Sequence, residues 1–228
     1  MSSTTPDRPR RRDRRRDRHE ATKQEILDSA WSIVRADGLA ALSLRALAHA
    51  VDMEPQSLYT YFASKNALYD RMFADGNLEL GRRFADAEIS GDARSALRAV
   101  AGIFLEFAAQ DQARYQLLFL RTIPGYQPSP DSYALAVEVL ASVRSTLARA
   151  GVRNEADFDL WTAVVVGLAG QQLANDPGGD RYIRLIDGAV TMFADYILGP
   201  SCPRRASAPA RPAHCLLRYQ LICAALLA

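Results

Sequence analysis

Between Glu54 and Lys65 the chain places an amide, two aliphatic hydroxyls, two phenols and an ammonium within a short stretch, at Gln56, Ser57, Tyr59, Thr60, Tyr61 and Lys65. Each has a use against a nucleic acid. The Gln56 amide can pair with an adenine edge, Ser57 and Thr60 can offer a hydroxyl to a base or phosphate, and the Thr60 methyl can meet thymine. Tyr59 and Lys65 suit phosphate oxygens, and Arg45 suits guanine or phosphate. The competing reading makes the aromatics core and the polar groups the solvated side of a small helical domain.

What would position these groups is the pair of short helical patterns in "SLRALAHAVDMEPQSLYTYFASKNAL", residues 43–68. Ser43 can cap the first, Pro55 suits the first turn of the second, and Ser64 can cap the helix that follows. Leu47, Val51, Met53, Leu58 and Phe62 supply apolar contacts, and Ala48 is small where helices approach. The sharp turn at Val51–Glu54 would tip the second helix so that Pro55, Gln56, Ser57, Thr60 and Tyr61 project toward a major groove about 12 Å wide. This is a helix-turn-helix pattern.

Residues 20–75 resemble the DNA-binding domain of the TetR family of transcriptional regulators. The resemblance rests on the first helix, on the approach from Gly38 to Ser43, and on "LYTYFASKNAL" at 58–68. It implies that Ser43, Arg45, Gln56, Ser57, Tyr59, Tyr61 and Lys65 meet DNA. One position departs from the pattern: Asp52 stands where the family usually has glycine. Glycine enters a left-handed conformation freely and aspartate at modest cost, so the turn is expected to survive. Residues 90–198 look like the regulatory domain of one branch of the family, with "RYQLLF", "PGYQPSP" and "LANDPGGDR" as landmarks, which implies a ligand-responsive dimer.

The whole chain reads as all-α, with an N-terminal three-helix helix-turn-helix domain, a C-terminal helical bundle and about nine helices. With 228 residues, 49% of them hydrophobic, it has ample material for a packed core. No run of about 18 apolar residues occurs and no apolar segment follows the N-terminal arginines, so neither a membrane span nor a leader is expected and a cytoplasmic location is. All three cysteines, Cys202, Cys215 and Cys223, fall after residue 200, which excludes a disulfide framework or thiolate metal site from the body.

Four segments are expected. Residues 1–19 read as a disordered basic arm. Its run "RPRRRDRRRDRHE" is either a solvated tail or an electrostatic tether to phosphate, diluted by Asp7, Asp13 and Asp17. Residues 20–66 form the DNA-binding domain, with the first helix starting at a capping box, Thr22 to Glu25, and ending at Gly38. Residues 67–199 form the ligand-binding and dimerisation domain, and 200–228 a low-complexity extension.

In the second domain, helices at about 155–174 and 179–198 carry wide apolar faces, including Trp161, Val164, Val165, Leu168, Leu185, Phe193 and Ile197. Packed against a two-fold mate they would make a four-helix bundle and set two recognition helices about 34 Å apart; the other reading is intramolecular core. Phe104, Phe107, Tyr115, Phe119 and Trp161, with Gln171 or Gln172 as a polar contact, are the candidate ligand wall, suited to a hydrophobic small molecule.

Catalysis has little support: the three histidines are scattered and no phosphate loop or nucleophile elbow occurs. The carboxylates Asp157 and Asp159 near Trp161 fit the first turn of a helix, where the dipole favours them. No cofactor or metal is expected. The reading is therefore a homodimeric regulator of a palindromic operator, released by a hydrophobic effector. The rival is a helical small-molecule-binding or scaffolding protein that has lost operator recognition.

Overall fold

The computed structural model describes residues 11–198, so the arm before residue 11, the 200–228 extension and its cysteines lie outside the described residues. Those described are all-α, with nine α-helices, one 3-10 turn and no strand among them. No helix among them is long and apolar enough to cross a membrane. Packing divides the chain into two units between Met72 and Phe73, inside a helix, and not at 66/67.

The first unit contains α1 (Arg11–Asp37), α2 (Leu44–Ala50), α3 (Pro55–Leu58) and the start of α4 (Lys65–Asp86). The helix expected to begin at Thr22 is already formed at Arg11, which corrects the reading of 1–19 as a disordered arm over residues 11–19. The physical reason lies in the composition. Arginine is a good helix former, residues 11–37 contain neither glycine nor proline, and acidic residues sit three or four positions from basic ones, as in the Glu20–Lys23 pair at 3.5 Å. The helix ends where expected, at Gly38, whose φ of +82° suits a residue without a Cβ and whose N–H donates to the Val34 carbonyl at 2.9 Å.

Ser43 caps α2, its hydroxyl oxygen accepting the Ala46 N–H at 3.1 Å. The far end of α2 closes with two nested bonds: the Met53 N–H donates to the Ala48 carbonyl at 2.8 Å, and the Asp52 N–H to the His49 carbonyl at 3.3 Å. Asp52 takes the left-handed conformation, φ +53°, the only described non-glycine residue to do so. The turn expected there is intact. In this unit Ile26, Ala30, Val34, Leu47, Ala48, Leu58, Phe62 and Leu68 are each buried, and the Tyr69 hydroxyl donates to the Leu39 carbonyl at 3.1 Å to hold the α1–α2 connection.

In the second unit α5 (Ala93–Gln110) is the central helix, packed by α6 (Gln112–Phe119), α7 (Pro130–Arg149), α8 (Glu155–Asn175) and α9 (Ile186–Leu198). Asp92, Asp111, Ser129 and Asn154 cap α5 to α8 through their side-chain oxygens. At Gly76 the backbone of α4 lies so close to Leu118 of α6 that a Cβ would sit 2.6 Å from its Cδ1. The last helix starts later than residue 179, after a 3-10 turn at Ile183–Leu185. Buried Gln172 explains this, because its Oε1 accepts the Tyr182 N–H at 2.8 Å and the Ile183 N–H at 3.3 Å, while Asp176 accepts the Arg181 N–H at 2.9 Å. Those bonds hold the glycine-containing loop out of the helix.

Because Asp52 is confined to the left-handed region, its replacements should rank by how readily they enter it. Asp52→Ala should lower unfolding stability by about 1 kcal/mol while Asp52→Gly should not lower it, as read from urea midpoints.

Candidate nucleic-acid interface and ligand cavity

Only Leu58 of α3 is buried, so one leucine and the turn before it hold a helix whose other side chains face out. Pro55, Gln56, Ser57 and Thr60 are exposed, as are Ser43 and Arg45 on α2. After Leu58 the chain continues in turns, with the Thr60 N–H donating to the Ser57 carbonyl at 3.1 Å and the Phe62 N–H to the Leu58 carbonyl at 3.0 Å. Tyr59 is 54% exposed, unusual for so large an aromatic. The Thr60 hydroxyl donates back to the Ser57 carbonyl at 2.7 Å, which leaves its methyl and lone pairs outward. Tyr61 is half-buried, its ring stacked on His19 of α1 at 4.7 Å and 18°. Lys65 opens α4 with its ammonium 5.3 Å from the Tyr69 ring centre, and Ser64 caps that helix by accepting the Ala67 N–H at 3.1 Å.

The nine residues named for nucleic-acid contact thus fall within one unit, seven of them exposed and two, Tyr61 and Lys65, partly covered. His19, the ring against Tyr61, was missed. Its signal was its register: it lies seven positions before Ile26 on the face of α1 that enters the core.

The second unit encloses a cavity of about 180 Å³. Of the six residues named as a ligand wall, Phe104, Phe119 and Trp161 line it and three do not. Tyr115 is buried behind the wall, its ring 5.5 Å from Phe119 and 6.2 Å from Phe104. Phe107 is buried under the Arg83 guanidinium, 5.4 Å from its ring centre. Gln171 is exposed and accepts from the Asn175 amide at 2.7 Å, so it is no ligand contact, and its neighbour Gln172 serves the 176–183 loop instead.

Much of the remaining wall comes from α4 (Phe73, Asn77, Leu80, Phe84), from α7 (Tyr133, Val137, Leu140, Val143) and from Thr162 and Val166 of α8. None of the lining residues is charged. Asn77 is buried, its amide nitrogen donating to the Phe73 carbonyl at 2.9 Å, and it supplies an amide to a largely apolar wall. The Thr162 hydroxyl donates to the Phe158 carbonyl at 2.8 Å. Burial raises the Tyr133 phenol, which keeps it neutral at physiological pH.

Asp159 differs from the reading of it as a dipole-favoured first-turn residue. Burial and the Glu155 carboxylate push it up to about 6 against the opposing pull of Arg144, and its Oδ1 is buried without a hydrogen-bond partner.

Among the described residues no cluster of His, Cys, Asp and Glu is arranged to hold a metal ion. Residues 26–72, which carry α2, α3 and the turn between them, match the family model described as bacterial regulatory proteins, tetR family. Over this segment the chain is similar to the TetR family of regulators. An HTH-type transcriptional regulator of Mycobacterium tuberculosis, Rv1816, is 28% identical to this chain over 184 residues, covering 75% of this chain and 76% of that one. The solved structure of SCO4313 has a TM-score of 0.65 at 24% identity, over 82% of this chain and 98% of that one. FadR from Bacillus subtilis, solved in complex with stearoyl-CoA, has a TM-score of 0.55 at 16% identity, over 75% and 96% of the two chains. These structural likenesses show that this chain shares their fold.

The raised carboxyl of Asp159 has a consequence for stability. With its folded pKa above the unfolded value, folding binds a proton, and the penalty of ionising Asp159 grows as pH rises from about 4 through about 6. Asp159→Asn should therefore stabilise the protein at pH 7.5 by about 1 kcal/mol, after allowance for solvent screening, and the gain should shrink toward pH 4 in urea titrations.

Proposed function

We propose that the protein is a repressor that holds a palindromic operator as a homodimer and releases it when a hydrophobic small molecule occupies the cavity. The observation that carries the DNA half is the outward display of Gln56 and Ser57 on a helix whose one buried residue is Leu58, and of Tyr59 and Thr60 in the turn that follows it. Gln56 and Ser57 read base edges in the major groove, and Ser43, Arg45, Pro55, Tyr59, Tyr61 and Lys65 fix the register on phosphates and sugars beside Thr60. A site of this kind acts in the compartment that holds the DNA, the cytoplasm of a bacterial cell.

The effector is compact and uncharged. A lined space of about 180 Å³ is comparable to an engineered apolar cavity of about 150 Å³ that holds benzene. With no cation on the wall to meet a phosphate, the acyl-CoA found in FadR is not the class of ligand proposed here. Release follows from differential binding: an effector that fits one arrangement of the α4 stripe Phe73, Asn77, Leu80 and Phe84 better than another shifts the population away from the DNA-binding state. α4 is the element through which this acts, because its residues before Phe73 belong to the first unit.

The dimer forms through α8 and α9. Trp161, Val165 and Phe193, read from sequence as part of the shared face, are buried within the chain. The outward stripe is instead Leu160, Ala163 and Gly167 on α8, and Leu185, Gly188, Met192 and Tyr196 from the 3-10 turn through α9. Met192 is 63% exposed and Leu185 48%. Small residues between larger apolar ones let helices approach closely, which suits a two-fold bundle.

Selection of bound sequences from random DNA by the purified chain should return an inverted repeat. On the selected duplex Lys65→Ala should weaken binding to all sequences and lower the salt slope by about 1 per protomer, about 2 for the dimer, whereas Gln56→Ala should relax preference at one position of each half-site. Failure to enrich any sequence would overturn the DNA reading in favour of a small-molecule-binding protein without an operator. Met192→Glu should convert the dimer to a folded monomer in light scattering, with loss of binding to the full repeat; a dimer that survives the substitution would place the interface elsewhere.

A further inference from the structure

The turn of α1 before His19 contributes none of the nine residues named for nucleic-acid contact. In sequence its charges alternate, with Arg14, Arg15, Arg16 and Arg18 interrupted by Asp17 and preceded by Asp13. As a helix they separate. Side chains three and four positions apart share a face, so Arg15 and Arg16 lie on the side of His19, while Arg14 and Asp17 lie on the other side. The same face continues C-terminally into Ile26 and Ala30, which are buried in the core of the first unit. Where α1 runs past that core, its inward face changes from apolar residues to His19 and then to arginine.

His19 fixes where that face lies. Its ring stacks on Tyr61 at 4.7 Å and 18°, next to the exposed Tyr59 and Thr60. Arg15 and Arg16 are exposed and form no ion pair with any described residue, although carboxylates lie within reach along the chain. Two unpaired guanidinium groups thus continue from the recognition segment, one helical turn beyond the stacked rings.

We propose that this face of α1 is a second DNA-contacting element, docked beside the recognition segment by the His19–Tyr61 stack, in which Arg15 and Arg16 pair with phosphates of the same duplex. Arginine matches phosphate through its planar fork, and each phosphate neutralised releases condensed counterions. A helical extension keeps the guanidinium groups close to their targets, so less conformational freedom is lost on binding than by a flexible tail. The proposal rests on the DNA-binding reading above, and its test is chosen so that the two can fail separately.

The probe is the duplex selected from random DNA by the wild-type, full-length chain, with affinity measured by anisotropy from low to high salt. Arg15→Ala and Arg16→Ala should each weaken binding and lower the slope of log affinity against log salt by about 0.9 for each phosphate left without its arginine. Arg14→Ala removes the same charge from the opposite face and should leave the slope unchanged. Alanine keeps the helix, which circular dichroism verifies. His19→Ala leaves every arginine in place and should weaken binding by undocking the face from Tyr61. Equal losses from Arg14, Arg15 and Arg16 would overturn the docked face in favour of an unspecific tether, and unchanged slopes in all three would overturn the contact altogether. If the wild-type chain selects no duplex, the DNA-binding reading itself has failed.

Discussion

The recognition surface depends on one closure, the hydrogen bond from the Met53 N–H to the Ala48 carbonyl across a left-handed Asp52. α3 is a single turn of regular helix with one buried residue, too short to persist by its own propensity, since an isolated helix needs several turns to offset nucleation. Its direction is set from outside, by the turn that delivers Glu54 and Pro55 and by the burial of Leu58. Aspartate at the left-handed position is less favourable than glycine there, yet its short polar side chain tolerates the conformation better than a bulky or β-branched one would. The bonds that end α2 are therefore also the bonds that aim α3.

Most of this unit was legible in the sequence because its signals are local. Ser43 and Ser64 sit one position before the helices they cap, Pro55 occupies the first turn of α3, and Gly38 stands where α1 ends. Features that depend on residues distant in sequence were not legible. The helical state of 11–19 carries no apolar periodicity, and a charged run free of glycine and proline reads equally as tail or helix. The delayed start of α9 depends on Gln172 reaching across the loop to the Tyr182 and Ile183 N–H groups, a contact no window of sequence displays. The cavity wall was legible in part: a count of aromatics found Phe104, Phe119 and Trp161 but could not tell which face Phe107 and Tyr115 present. The spacing of Phe73, Asn77, Leu80 and Phe84 is a helical stripe that would have added α4 to the wall.

The first unit also shows what a linear charge pattern hides. The overall charge of +2 and the aspartates among the arginines suggest a weak electrostatic partner. Coulomb interactions with a polyanion depend instead on which charges share a surface, because those more than about 10 Å away are screened at moderate salt. Coiling the segment into a helix turns a mixed sequence into one face of arginine and another that mixes both signs. Arginine density read along the chain understates the field such a helix can present.

In the second unit the decisive quantity is empty volume. Apolar interiors pack near crystal density, and unfilled apolar space costs stability, so a cavity of about 180 Å³ is not neutral to the fold. A fold that needed only to be stable would shrink this space by placing larger side chains at Val137, Val143 or Val166. Left open, with uncharged walls and an amide at Asn77, the space suits the proposed effector: filling it would be stabilising, and the gain would be largest for the arrangement of helices that fits the occupant best. That preference among arrangements is what a regulator requires of its ligand: tight binding without it would shift no equilibrium, while modest binding with it would.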